Sequence, residues 1–133
     1  MGDARAVIVN VLRAALSDLQ AVYLFGSHGR GDARADSDWD IAVLTPRRLD
    51  PIERWHLQEH IASRLSADVD LLDLRAASAV LRARVVEEGV VLSDPEPTRR
   101  AEFEAFALSD YARLQEERRG ILEDASQRGW FRG

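Results

Sequence analysis

The chain contains no cysteine and no lysine. Without cysteine, neither disulfides nor thiolate chemistry is available, and a reducing cytoplasm is the expected compartment. Without lysine there is no Schiff-base amine; all eighteen basic residues are arginine, so any cationic side chain that meets phosphate must be an arginine. Also missing is any apolar run near the ~20 residues of a membrane helix. The opening Met1-Gly2-Asp3-Ala4-Arg5 lacks the basic, then apolar, then small pattern of a secretory signal, so no membrane association is expected. Nor is there an excess of positive charge: the formal charge of −5 disfavours sequence-independent binding of nucleic acid. What is present is the balance of an ordinary globular protein, 46% hydrophobic and 31% charged, in 133 residues, enough for one modest core.

Periodicity alternates along the chain. Ile8, Leu12, Ala15, Leu16 and Leu19 form one stripe and predict an amphipathic helix over 4–19. Ala21 to Phe25 reads as a short apolar strand stopped by Gly26. A polar segment with Gly29 and Gly31 has room for a helical turn or two. Trp39 to Leu44 reads as a second strand, ended by Thr45-Pro46, and Pro51 opens a helix to about Leu65 with Leu57, Ile61 and Leu65 on its buried face. A third strand spans Val69 to Leu74, a helix roughly 77–87, and a last strand Val90 to Leu92 after Gly89. Asp94-Pro95-Glu96-Pro97 interrupts both helix and sheet. Phe103, Ala107, Tyr111, Leu114, Ile121 and Ala125 then follow at helical spacing over 98–126, with a bend expected near Gly120, and Gly129, Trp130 and Phe131 lie in a loose tail. The expected fold is α/β: a small mixed sheet of three or four strands flanked by helices, with a long C-terminal helix. Residues 1–94 form the α/β unit, and 95–133 form the helix and tail packed on the same single domain. The apolar stripe of that helix has two readings, packing on its own domain or serving as a partner interface.

Chemistry concentrates in Gly26-Ser27-His28-Gly29-Arg30-Gly31 and, six residues later, Asp38-Trp39-Asp40. A glycine and serine directly after a strand present backbone N–H groups and a hydroxyl to an anion, and glycine lets a phosphate approach closely. Side chains at i and i+2 of a strand share a face, so Asp38 and Asp40 project together. Paired carboxylates repel unless cations neutralise them, and hard oxygen ligands suit Mg²⁺ or Mn²⁺. Asp70, at the start of the third strand, reaches the same site if the second and third strands pair. Three carboxylates beside a phosphate-binding turn describe a two-metal phosphoryl-transfer centre.

Gly26, Ser27, Arg30, Gly31, Ser37, Asp38 and Asp40, with Asp70 downstream, resemble the signature of the DNA polymerase β-like nucleotidyltransferase superfamily. The chain is most similar to its minimal nucleotidyltransferases (MNT), antitoxins of HEPN-domain ribonuclease toxins. The resemblance implies that Gly26 and Ser27 hold the β- and γ-phosphates of ATP, and that Asp38 and Asp40 bind two Mg²⁺ ions. It implies that Asp70 ligates one metal and accepts the proton of the attacking hydroxyl. Arg30 either contacts phosphate or pairs with Asp32 or Asp36. Larger nucleotidyltransferases carry an acceptor-binding domain, and no residues remain here to build one. The acceptor is therefore expected on a separate macromolecule, a HEPN toxin whose tyrosine hydroxyl receives AMP. The alternatives are a binding-only antitoxin that covers its toxin through the C-terminal helix, and a small-molecule nucleotidyltransferase of the aminoglycoside type.

Other patterns carry less. An EF-hand begun at Asp36 puts Ile41 where glycine must turn and Arg47 where the bidentate glutamate belongs, so it fails. His56-Leu57-Gln58-Glu59-His60 matches a zinc-peptidase pattern but has no identifiable third ligand. Trp39, Trp55 and Phe25 are read as core or wall residues.

Overall fold

Asp3 accepts a hydrogen bond from the Arg5 amide at 3.0 Å and so caps α1 (Ala4–Ala15). In the computed structural model, which describes residues 3–127, this helix is shorter than the apolar stripe predicts. Leu16 leaves helical dihedrals at φ −119°, and the Leu19 amide donates to the Leu16 carbonyl at 3.2 Å. Leu16 and Leu19 are buried all the same, from a turn through Ser17 and Asp18, whereas Ala15 is exposed. Helical spacing persisted past the helix because a turn can deliver the same side chains to the same core.

The chain continues through β1 (Ala21–Phe25), α2 (Gly26–Arg30), β2 (Trp39–Leu44), α3 (Pro51–Leu65), β3 (Val69–Asp73), α4 (Ala79–Glu88), β4 (Val90–Ser93) and α5 (Pro97–Gln127). The strands form one mixed sheet in the order β3-β2-β1-β4. β1 pairs antiparallel with β2 and β4, whereas β2 and β3 run parallel with α3 as the crossover. β1 is buried along its whole length, which explains its continuous apolar run.

Strand alternation sorts the core into two layers. Val22, Leu24, Ile41, Val43 and Leu71 face α1 and α3 and pack with Ile8, Leu12, Leu57 and Ile61. Ala21, Tyr23, Phe25, Ala42 and Leu44 face the other way and pack with Val85 of α4 and Phe103 and Ala107 of α5.

α5 has 31 residues, about 46 Å of helix. Its first third is locked to the sheet. The buried Tyr23 hydroxyl donates to Glu104 Oε2 at 2.8 Å, and Arg100 bridges Glu104 and Asp94, each at 2.9 Å. Desolvation, reinforced by Glu104, pushes the Tyr23 phenol well above its ordinary range. Further along, Tyr111 and Leu114 are half-buried, Ile121 is 65% exposed and Ala125 is buried again, so the predicted stripe is covered at its start and interrupted at Ile121. Gly129, Trp130 and Phe131 lie outside the described residues. Glu104→Ala is expected to cost about 1–3 kcal/mol in chemical denaturation, because it leaves the Tyr23 hydroxyl buried without its acceptor. Tyr23→Phe is expected to cost only about 1 kcal/mol, since Glu104 keeps Arg100.

Candidate active site

The site forms at the end of the sheet where β1 stops and β2 and β3 begin. The register pairs Phe25 with Asp40 and Asp40 with Asp70. Asp40 lies on the strand face of Ala42 and Leu44, and Asp70 on the face of Leu72, the layer shared with α4 and α5. Asp38, one residue before β2, precedes Asp40 by the same two-residue step. The parallel pairing thus brings Asp70 beside Asp40, as the sequence pattern required.

Asp73, three residues beyond Asp70, has a different fate. It is 3% exposed and accepts from the Leu49 amide at 2.8 Å and the Arg75 amide at 3.0 Å. It joins the loop after β2 to the end of β3 and is remote in register from Asp40.

Gly26 turns the chain out of β1 with φ +66°, a conformation that disfavours any side chain. A Cβ there would run into Asp40 Oδ2, with Asp40 Cγ only 3.0 Å away. The glycine turn therefore backs directly onto the Asp40 carboxylate. Ser27 is half-buried beside it. His28 stacks on Trp39 with ring centroids 3.5 Å apart and planes 12° from parallel, and its Nε2 lies 3.2 Å from the Ser37 carbonyl. Arg30 pairs with Asp32 at 3.3 Å, both largely exposed.

The electrostatics are those of accumulated negative charge. The Asp40 carboxyl is held above its ordinary range, first by burial and then by the charges of Asp70 and Asp38; Arg84 of α4 and His28 oppose this. Raising its folded value means the native state holds that proton more tightly than the unfolded chain. Stability of the metal-free protein should therefore fall as pH rises from the ordinary aspartate range through the raised value. Asp40→Asn is expected to remove that loss and raise the metal-free melting temperature, read by thermal scans at several pH values.

Among the described residues no three His, Cys, Asp or Glu side chains are drawn into a ready-made metal cage. That holds for the aspartates, of which Asp38 and Asp70 are exposed and Asp40 half-buried. The donor set still fits Mg²⁺, which binds through one or two carboxylates completed by water and substrate phosphate rather than in an all-protein cage. Like-charge repulsion at Asp40 is what such a cation relieves. His56 and His60 sit exposed on α3, against the opposite face of the sheet, without a third ligand.

Sequence reasoning did not bring out three residues near the site. Trp39 and His28 occupy positions that the motif leaves free, and only the fold, which sets α2 beside the start of β2, reveals the stack. Arg84 lies in another helix, and nothing in its local sequence marks it as a neighbour of Asp40.

A sequence model of the family described as "Polymerase beta, Nucleotidyltransferase" matches residues 7–98. The protein adenylyltransferase MntA of Shewanella oneidensis is 44% identical over 117 residues, 88% of this chain and 84% of that one. The fold is similar to a chain in a crystal structure of a toxin–antitoxin with AMP-PNP, with a TM-score of 0.82 at 42% identity, covering 92% of this chain and 98% of the other. It is similar also to a chain in the structure of a tri-AMPylated Shewanella oneidensis HEPN toxin in complex with MNT antitoxin, with a TM-score of 0.76 at 40% identity, covering 92% and 96% respectively. With the motif residues gathered at one end of a mixed sheet, and with likeness along most of its length, the chain belongs to the polymerase β nucleotidyltransferase family.

Proposed function

We propose that this protein transfers AMP from ATP to a hydroxyl of a partner HEPN-domain toxin, a tyrosine by the expected chemistry, and so acts as its antitoxin. The observation that carries this reading is the register of Asp40 with Asp70, with the Gly26 turn backed onto Asp40. Gly26 and Ser27 take the β- and γ-phosphates. The toxin hydroxyl oxygen bonds to the α-phosphorus, the bond from that phosphorus to the bridging oxygen breaks, and pyrophosphate departs. The hydroxyl proton passes to Asp70. Two Mg²⁺ ions held by Asp38 and Asp40, one of them also by Asp70, would supply the positive charge that stabilises the reacting phosphate and the leaving group. Arg30, already paired with Asp32, is at most an auxiliary phosphate contact.

Exposure of Asp38 and Asp70 favours an acceptor that arrives on another macromolecule over a small molecule enclosed in a pocket. The chain acts as one unit, with 1–94 carrying the chemistry and 95–133 extending it. The exposed Leu108, Ile121 and Leu122 of α5 make the helix the candidate surface for the toxin. None of the described helices is long and apolar enough to cross a membrane. With no cysteine in the chain, a reducing cytoplasm is where this reading places the reaction.

Intact-mass spectrometry of the product of the adjacent gene, incubated with this protein, ATP and Mg²⁺, tests the proposal. The expected result is a gain of one or more AMP increments. A stable complex with no mass change would replace the enzyme reading with a binding-only antitoxin.

A further inference from the structure

The loop over 31–37 separates the two halves of the site in the chain: the Gly26-Ser27 turn stands before it and Asp38 and Asp40 after it. The pairing of Phe25 with Asp40 sets Gly26 beside the carboxylate, but Ser27 and the rest of α2 lie beyond that ladder, and phosphoryl transfer is sensitive to small displacements. One side chain of α2 reaches back to β2. His28, in the turn, lies flat on Trp39, the residue between the two aspartates, at 3.5 Å and 12°. Its Nε2 lies 3.2 Å from the Ser37 carbonyl, and since a carbonyl only accepts, Nε2 carries the hydrogen.

Trp39 is a firm platform. It packs against the core layer of α1 and α3, and its amide donates to the Asp68 carbonyl at 2.9 Å, two residues before Asp70. Ser37 is fixed in turn: its hydroxyl accepts from the Arg34 amide at 2.8 Å, and its amide donates to the Arg34 carbonyl at 3.0 Å. His28 therefore ties the phosphate-binding turn to a residue whose backbone is already bonded to the strands that bear the carboxylates.

We infer that His28 is a positioning residue for nucleotidyl transfer: stacked on Trp39 and bonded to Ser37, it holds the Gly26-Ser27 turn at working distance from Asp38, Asp40 and Asp70. This rests on the functional reading above and adds to it a device at motif positions that the family signature leaves open. The stack is the main fastening and the hydrogen bond the lesser one, because the rings overlap closely whereas the bond is long for its type.

The test compares His28→Ala, His28→Phe and His28→Gln in steady-state AMP transfer to the HEPN partner, with Asp40→Asn as the inactive reference. His28→Ala should lower kcat about tenfold to a hundredfold, the loss expected of misplaced reacting groups. His28→Phe, which keeps a ring on Trp39, should recover most of that loss, and His28→Gln should recover little. A parallel measurement needs no turnover: in a Trp55→Phe, Trp130→Phe background, Trp39 emission should rise when the imidazole is removed by His28→Ala. If His28→Ala keeps wild-type kcat and KM, or if His28→Phe is no better than His28→Ala, the inference is overturned. If His28→Ala merely lowers the melting temperature with kcat unchanged, the residue is structural and the inference again fails. A wild-type protein that transfers no AMP while Trp39 still reports the stack would refute the functional reading instead.

Discussion

Replacing Asp38 and Asp40 together by alanine is expected to abolish AMP transfer, a loss of at least about a thousandfold, while the protein remains folded. The two carboxylates lie a two-residue step apart where β2 begins, and Asp40 is flanked in register by Asp70. They hold few structural duties: Asp38 is exposed, and the charge at Asp40 is opposed by its own neighbours. Removing them relieves repulsion in the metal-free protein and discards the oxygens that would hold Mg²⁺ against the triphosphate. The intact-mass assay reads the loss, and a thermal scan shows that the fold is kept. A double variant that still loaded AMP onto the partner would remove these residues from the chemistry altogether. Asp70→Asn separates the roles further. It should retain nucleotide binding in a thermal-shift titration and lose transfer, because the carboxamide no longer accepts the hydroxyl proton.

Gly26→Ala should have the second largest effect. Two penalties fall on one methyl group. The backbone at φ +66° disfavours a side chain, costing about 1–3 kcal/mol, and the added Cβ collides with the Asp40 carboxylate. The collision can be relieved only by moving the turn or the aspartate, and either movement changes the spacing between the proposed phosphate and metal sites. Activity should fall at least about a hundredfold, well beyond the loss of stability. Gly31 is the control. It too has a positive φ, +81°, yet a Cβ there meets nothing within 4 Å. Gly31→Ala should therefore cost about 1 kcal/mol in denaturation and leave transfer nearly intact. Equal activity losses at the two glycines would show that backbone conformation, not contact with Asp40, governs the site.

Much of this protein was written in its sequence by itself. β1 and β2 have the ends that Gly26 and Thr45-Pro46 dictate, α3 begins at Pro51, and Asp94 to Glu96 separates β4 from α5, which Pro97 opens. These are local effects: period-two or period-3.6 burial, and residues whose backbone limits hold in any surroundings. The Gly-Ser turn and the Asp-x-Asp step were legible for the same reason, since a strand places i and i+2 on one face whatever its partner.

Tertiary structure decided the rest, because the deciding contacts join residues far apart in the chain. The parallel pairing of β2 with β3 selects Asp70 for the site and buries Asp73 as a structural acceptor, although both acids sit in one short segment. α1 ends at Ala15, short of its apolar stripe, because a turn carries Leu16 and Leu19 to the core with the spacing of a helix. α5 has an apolar stripe along its length, yet its start is held on the sheet by Tyr23 and Glu104, which lie 81 residues apart in the chain, while Ile121 is left exposed. The charge of Arg84 acts on Asp40, and His28 lies on Trp39, only once the sheet and its flanking helices have closed. Periodicity specifies which face of an element is buried, whereas register and packing specify what that face meets.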